Sequence, residues 1–182
     1  MSAAATGPRD GGDGSRRLTR YVQIVVEVGS VLQAFPPPPG KTPTKVPYDP
    51  AQLIVTGGAT VNANGVIALA AGKGQAVRVY AESGSSDFEN AVLISSIDGK
   101  SDKPILEDFK LVKLPSKTVV PASGDEPLPV ITVDKTFWFF ESSVIGKGTV
   151  PYKLVLALYD RDRDTGQPHF AGLYQWNLKF RV

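Results

Sequence analysis

The sequence predicts an all-β protein: a single-domain antiparallel β-sandwich, jelly-roll or Ig-like, of about 8–10 strands. Short β-type runs recur along the chain and are separated by Gly, Pro, Asn and Ser, the punctuation of a sandwich. The first run alternates Val22, Ile24, Val26 and Val28 with Gln23 and Glu27, the period of a half-buried strand. No window sustains the 3.6-residue apolar period of a helix, and Asp102–Asp108 offers a helical turn at most.

Taken in order, residues 1–19 are rich in Gly, Asp, Arg and Ser without periodicity, and they are expected to form a disordered tail. Residues 20–182 are expected to form the domain, its first strand running from Arg20 to Gly29. Residues 36–50 hold seven of the fifteen prolines. Proline lacks an amide N–H and fixes φ, so this stretch reads as an extended connector crossing the surface rather than a docking site. Strands are then expected at Gln52–Thr56, Gly65–Ala70, Gln75–Glu82, Ala91–Ser95, Phe109–Leu114 and Pro129–Val133.

The stretch from Thr136 to Val182 contains both tryptophans and opens with Phe137-Trp138-Phe139-Phe140. Large aromatic side chains dominate buried area, so the stretch is read as core strands. Between Tyr152 and Tyr159 both faces are apolar: Tyr152, Leu154, Leu156 and Leu158 on one, Val155 and Ala157 on the other. Such a strand belongs at the centre of a sheet, covered by the opposing sheet on one side and by a loop or a partner subunit on the other. Phe170, Gly172, Tyr174, Trp176 and Leu178 share a face of the returning strand, where Gly172 makes room for a ring or marks a bulge.

Composition excludes several function classes. Twenty basic and eighteen acidic residues leave a formal charge of +2, too small to argue for nucleic acid or a charged membrane surface. The absence of cysteine removes disulfides, thiolate metal sites and a cysteine nucleophile. No run of eighteen apolar residues exists to span a membrane as a helix. Ser15-Arg16-Arg17-Leu18 before the first apolar run has the look of a twin-arginine signal, but Glu27 and the alternation favour a strand, and the protein is expected in the cytoplasm.

The motifs with chemical content also have plainer readings. Asp160, Asp162 and Asp164 have the spacing that opens an EF-hand loop, but Thr165 and Ala171 stand where that loop needs Gly and Glu, so a solvated hairpin tip is expected. Gly40-Lys41-Thr42 lacks the upstream glycine of a phosphate-binding loop, its place held by Phe35. His169 is the single histidine, so a multi-histidine metal site is impossible and any Ser-His-Asp triad would have to use it. Tyr80, Tyr174, Trp138 and Trp176 could build a sugar-stacking platform, but alternating aromatics within strands read first as core.

The same segments resemble the PixA/AidA family of bacterial inclusion-body proteins. The resemblance is carried by Leu128-Pro129, Phe137-Trp138-Phe139-Phe140-Glu141, Gly148-Thr149, Tyr152, Ala157-Leu158-Tyr159-Asp160-Arg161-Asp162-Arg163 and Gly172-Leu173-Tyr174-Gln175-Trp176, with Val22–Val28 where the family begins. The chain departs from the family at Asn177-Leu178, where Asp-Pro is usual, and in its Pro-rich segment and tail. The resemblance implies a cytoplasmic bacterial protein and supplies no catalytic residue. A non-enzymatic, self-associating sandwich, at least a dimer, is therefore expected, with no cofactor. A carbohydrate-binding, lectin-like sandwich is the alternative, and a hydrolase built on His169 is the third reading. Tyr80, Tyr159, Asp160, Asp162, Asp164 and Tyr174 are the residues expected to line a ligand site or an interface.

Overall fold

Two mixed β-sheets pack face to face, the all-β sandwich that the alternating runs predict. The computed structural model describes residues 19–36, 40–86, 89–124, 126–162 and 164–182. The tail expected over 1–19 lies outside the described residues except for Thr19, which opens a strand; Pro37–Pro39 of the connector also lie outside them.

The first sheet has the order β3 (Leu53–Gly57), β1 (Thr19–Val26), β6 (Ala76–Ser83), β9 (Val130–Ser143) and β8 (Lys110–Pro121). The second has the order β4 (Ala59–Val61), β5 (Val66–Leu69), β11 (Pro168–Arg181), β10 (Thr149–Arg161) and β7 (Ala91–Gly99), with β2 (Thr44–Val46) also paired to β11. The pairing is not antiparallel throughout. β1 runs parallel to β6, and β11 runs parallel to both β2 and β5.

The inner face of β1 is the alternating set seen in the sequence: Val22, Ile24 and Val26 are fully buried while Gln23 and Val25 are half-buried on the opposite face. Val77 and Val79 continue that layer on β6. Opposite them stand Leu154, Leu156 and Leu158 of β10, with Tyr174, Trp176, Leu178 and Phe180 of β11. Each fully buried side chain of this size stabilises the fold by about 1.5–3 kcal/mol. β10 is central, as its doubly apolar pattern requires, with β11 along one edge and β7 along the other. Val155 and Ala157, on its far face, are also buried. Their register neighbours on β11 are Gln175 and Leu173.

Three local features differ from the sequence reading. The first strand stops at Val26, and Val28–Ala34 form a short helix, α1, whose Val28 and Val31 are buried. Val28 sits in phase with the strand and, with Val31 and Leu32, also at i, i+3 and i+4, so alternation alone assigned it to β1. Inside the connector, Thr44–Val46 pairs with β11 between Pro43 and Pro47, a three-residue strand too short to show a period. The register of β10 and β11 slips between Leu158 and Tyr159, beside Gly172, so the glycine marks a bulge. The bulge puts Phe170 on the exposed side, where its ring packs against Tyr159 at 5.5 Å, while Tyr174 and Trp176 stay inside.

Leu156→Ala, at a site with no solvent exposure, should cost about 2–5 kcal/mol in urea unfolding. Val119→Ala, 62% exposed on β8, should stay within about 0.5 kcal/mol of the parent.

Candidate functional site

β9 begins outside the sandwich and ends inside it. Its C-terminal residues Phe140–Ser143 pair with Val79–Ala76 of β6, and there the two strands part. β6 continues through Ser83, whereas β9 from Val130 to Phe139 is paired with β8 alone. The result is a two-stranded ribbon about 25 Å long, from eight residue pairs at about 3.4 Å each, Leu114–Phe137 to Pro121–Val130. Its described residues are exposed from Lys113 to Trp138, apart from the half-buried Thr118, Val120 and Val133.

Directly opposed residues of an antiparallel pair share a face, so the register sorts the ribbon's side chains. One face carries Val112–Phe139, Leu114–Phe137, Ser116–Lys135, Thr118–Val133 and Val120–Ile131, and is apolar except at Ser116, Lys135 and Thr118. The other carries Lys113–Trp138, Pro115–Thr136, Lys117–Asp134 and Val119–Thr132. Lys113 Nζ lies 4.3 Å from the Trp138 ring, and Lys117 Nζ 3.1 Å from Asp134 Oδ1. Phe137, Trp138 and Ile131 remain 42%, 47% and 50% exposed. The expectation that the Phe137–Phe140 run is core strand therefore holds for Phe139 and Phe140 and fails for Phe137 and Trp138, because the strand leaves the sheet that would have covered them.

At the root of the ribbon the outer face of the first sheet is held by polar contacts. Arg78 Nε donates to Glu141 Oε2 at 2.6 Å, and the guanidinium carbon lies 4.7 Å from the Phe139 ring centroid. Its Nη1 donates to the Tyr21 hydroxyl at 3.2 Å. The hydrogen bond to Glu141 raises the Arg78 pKa further above its ordinary value. Beside it Gln23 Nε2 donates to Glu82 Oε2. Where β6 and β9 diverge, a cleft of two adjoining hollows, about 410 and 450 Å³, opens between Tyr80, Val92, Leu93, Trp138 and Phe139. Burial, and secondarily the charge of Glu82, raises the Tyr80 phenol above its ordinary pKa.

The hairpin tip between β10 and β11 is a separate, solvated place. Asp162 Oδ1 accepts from the amides of Asp164 and Thr165 at 3.0 and 2.7 Å and from the Thr165 hydroxyl at 2.8 Å. These bonds, the Thr165 amide first, hold the Asp162 carboxyl below the usual carboxylate range. Asp160 Oδ1 lies 3.0 Å from His169 Nδ1, whose side chain is 73% exposed. Thr165, the hydroxyl in the same hollow, is engaged by Asp162, so no Ser-His-Asp arrangement assembles there among the described residues. No group of three or more His, Asp or Glu among the described residues is placed to hold a metal ion.

The six expected site residues thus do not converge. Tyr80 lines the cleft; Tyr159, Asp160, Asp162 and Asp164 belong to the far end of β10 and its tip. Tyr174 is corrected outright: it is fully buried, its hydroxyl donating to the Phe35 carbonyl at 3.0 Å. With Trp176 equally buried, the four-aromatic platform does not form, and of its members Tyr80 and Trp138 meet in the cleft. Sequence reasoning missed Leu93, Leu128 and Ile131 as surface features, since nothing in an alternating run says which strands leave the sheet.

The family model of the PixA inclusion body protein matches residues 21–182. The chain belongs to the PixA inclusion-body protein family. No curated protein matches it. A crystal structure of an inclusion body protein, PixA, from Burkholderia cenocepacia J2315 is similar at 18% identity with a TM-score of 0.70, covering 90% of this chain and 95% of the other. At that identity the likeness establishes a shared PixA fold, and the resemblance carried by the aromatic C-terminal motifs is confirmed. No described helix is long and apolar enough to cross a membrane.

Since the Asp162 carboxyl is depressed in the fold, it contributes to the tip above the ordinary carboxylate range and is lost as pH falls through its folded value. In an NMR titration the Thr165 amide should therefore shift with a midpoint below that of a free aspartate. Asp162→Ala should speed exchange of the Asp164 and Thr165 amides while leaving the thermal midpoint of the domain unchanged.

Proposed function

We propose that this PixA-family protein is a non-enzymatic, cytoplasmic protein that works by self-association, with the dimer as its smallest unit. The observation that carries the reading is the β8–β9 ribbon, one face of which leaves Leu114, Ile131 and Phe137 exposed and Val120 and Val133 half-buried, with Ser116 and Lys135 between them. A two-stranded hairpin on its own is at best marginally stable in water, and an unpaired strand edge is a template for another chain. A second copy of the same chain satisfies both demands, in keeping with the family's inclusion-body description. The lectin-like alternative gains no support, because the cleft's lining is mostly apolar and its one carboxylate, Glu82, already accepts a hydrogen bond from Gln23.

Sedimentation velocity across a micromolar concentration series should show a monomer–dimer equilibrium. Ile131→Lys, at a half-exposed position, should weaken dimerisation about tenfold or more without lowering the melting temperature. A strict monomer at the highest concentrations would sink the reading.

A further inference from the structure

The free edge of β9 has a plug at one end and a socket at the other. Leu128, Val130 and Ile131, 68%, 47% and 50% exposed, stand at the ribbon's tip. The cleft lined by Tyr80, Val92, Leu93 and Trp138 lies at its root, on the same side of β9. A two-fold axis through the middle of an antiparallel strand pair carries each end of one strand onto the opposite end of its mate. A symmetric β9–β9 pairing about the middle of the free edge therefore carries the tip of each copy towards the cleft of the other.

We infer that two copies pair through the free edges of β9, antiparallel about a two-fold axis at Val133, each seating its Leu128–Ile131 tip in the partner copy's Tyr80–Trp138 cleft. This rests on the self-association reading above and specifies its geometry.

Charge excludes two registers, and the fit of the tip to the cleft favours the axis at Val133. Proper two-fold pairing places one residue opposite its own copy, and like charges directly opposed are destabilising. An axis at Asp134 would oppose two carboxylates and an axis at Lys135 two ammonium groups. An axis at Val133 opposes two valines, sets Asp134 against Thr132 and Lys135 against Ile131, and leaves the Lys117–Asp134 ion pair in place. It also brings Leu128 level with Trp138 of the second copy, at the mouth of the apolar cleft. Pairing joins the ribbons into one four-stranded sheet, β8-β9-β9-β8, and removes a long open edge from both copies.

The chain has no cysteine, so a single introduced thiol can cross-link to its own copy alone. Directly opposed Cα atoms in an antiparallel pair lie about 4.5–5.5 Å apart, within the range a disulfide spans. Val133→Cys should give a covalent dimer under mild oxidation at least tenfold faster than Val119→Cys, which sits on β8 away from the free edge. Leu128→Lys should raise the dissociation constant at least tenfold by sedimentation, and Trp138 emission should shift to the blue as the parent dimerises while buried Trp176 stays constant. If the protein dimerises but Val133→Cys cross-links no faster than Val119→Cys, or Leu128→Lys leaves the dimer intact, this geometry is overturned and self-association survives. If the parent is a strict monomer, both fail.

Discussion

The burial of the inner faces of β10 and β11 against β1 and β6 is the interaction on which everything else depends. Leu154, Leu156 and Leu158 lie in register with Trp176, Tyr174 and Gly172, so three leucines and two large rings form one continuous wall. The opposing wall is made of β-branched residues, Val22, Ile24, Val26, Val77 and Val79, whose stiff side chains suit a flat pleated layer. Apart from one glycine, large residues on one side and compact ones on the other let the two sheets approach with few voids. β10 is flanked on both edges, which sets it against local opening.

Against that rigid body, β9 is a strand with two environments. Its C-terminal end is locked between β6 and β8, with Arg78 bridging Glu141, Tyr21 and the Phe139 ring. That cluster is partly exposed, and its worth lies in geometry rather than in net energy, since solvent-accessible ion pairs contribute little. It fixes where β9 leaves the sheet. Beyond Phe140 the strand has one neighbour instead of two, and its apolar residues have no second layer to meet. The cleft and the ribbon are consequences of the same divergence.

The two ends of the molecule therefore differ in kind. At the hairpin tip Asp162 Oδ1 is satisfied by three local donors, closing a turn that makes few demands on its surroundings. At the β8–β9 end, backbone edge and apolar side chains are left without internal partners among the described residues. Closed polar groups make a quiet surface, and open ones make an adhesive surface. In a PixA-family chain this contrast is the reason the proposed associating surface is put at the ribbon and not at the acidic tip.

Much of the fold was legible in the residues. The alternation of Val22, Ile24 and Val26, the apolar double face of Tyr152–Tyr159 and the glycine at 172 each fixed a local outcome: a half-buried strand, a central strand and a bulge. Those are consequences of side-chain period and backbone permission, which a sequence carries in full. Short elements escaped because three residues, as in Thr44–Val46, show no period, and because Val28 fits a strand and a helical turn equally well. The candidate site escaped for a different reason. Phe137, Trp138, Ile131 and Leu128 are apolar in the same way as Trp176 and Tyr174, and hydrophobicity records what a side chain avoids, not whether a neighbour is present. The sequence by itself determined a two-layered β protein with an aromatic C-terminal core and no cysteine chemistry. Tertiary structure alone decided which aromatics are inside, because that depends on where β9 parts from β6, a relation between residues more than fifty positions apart.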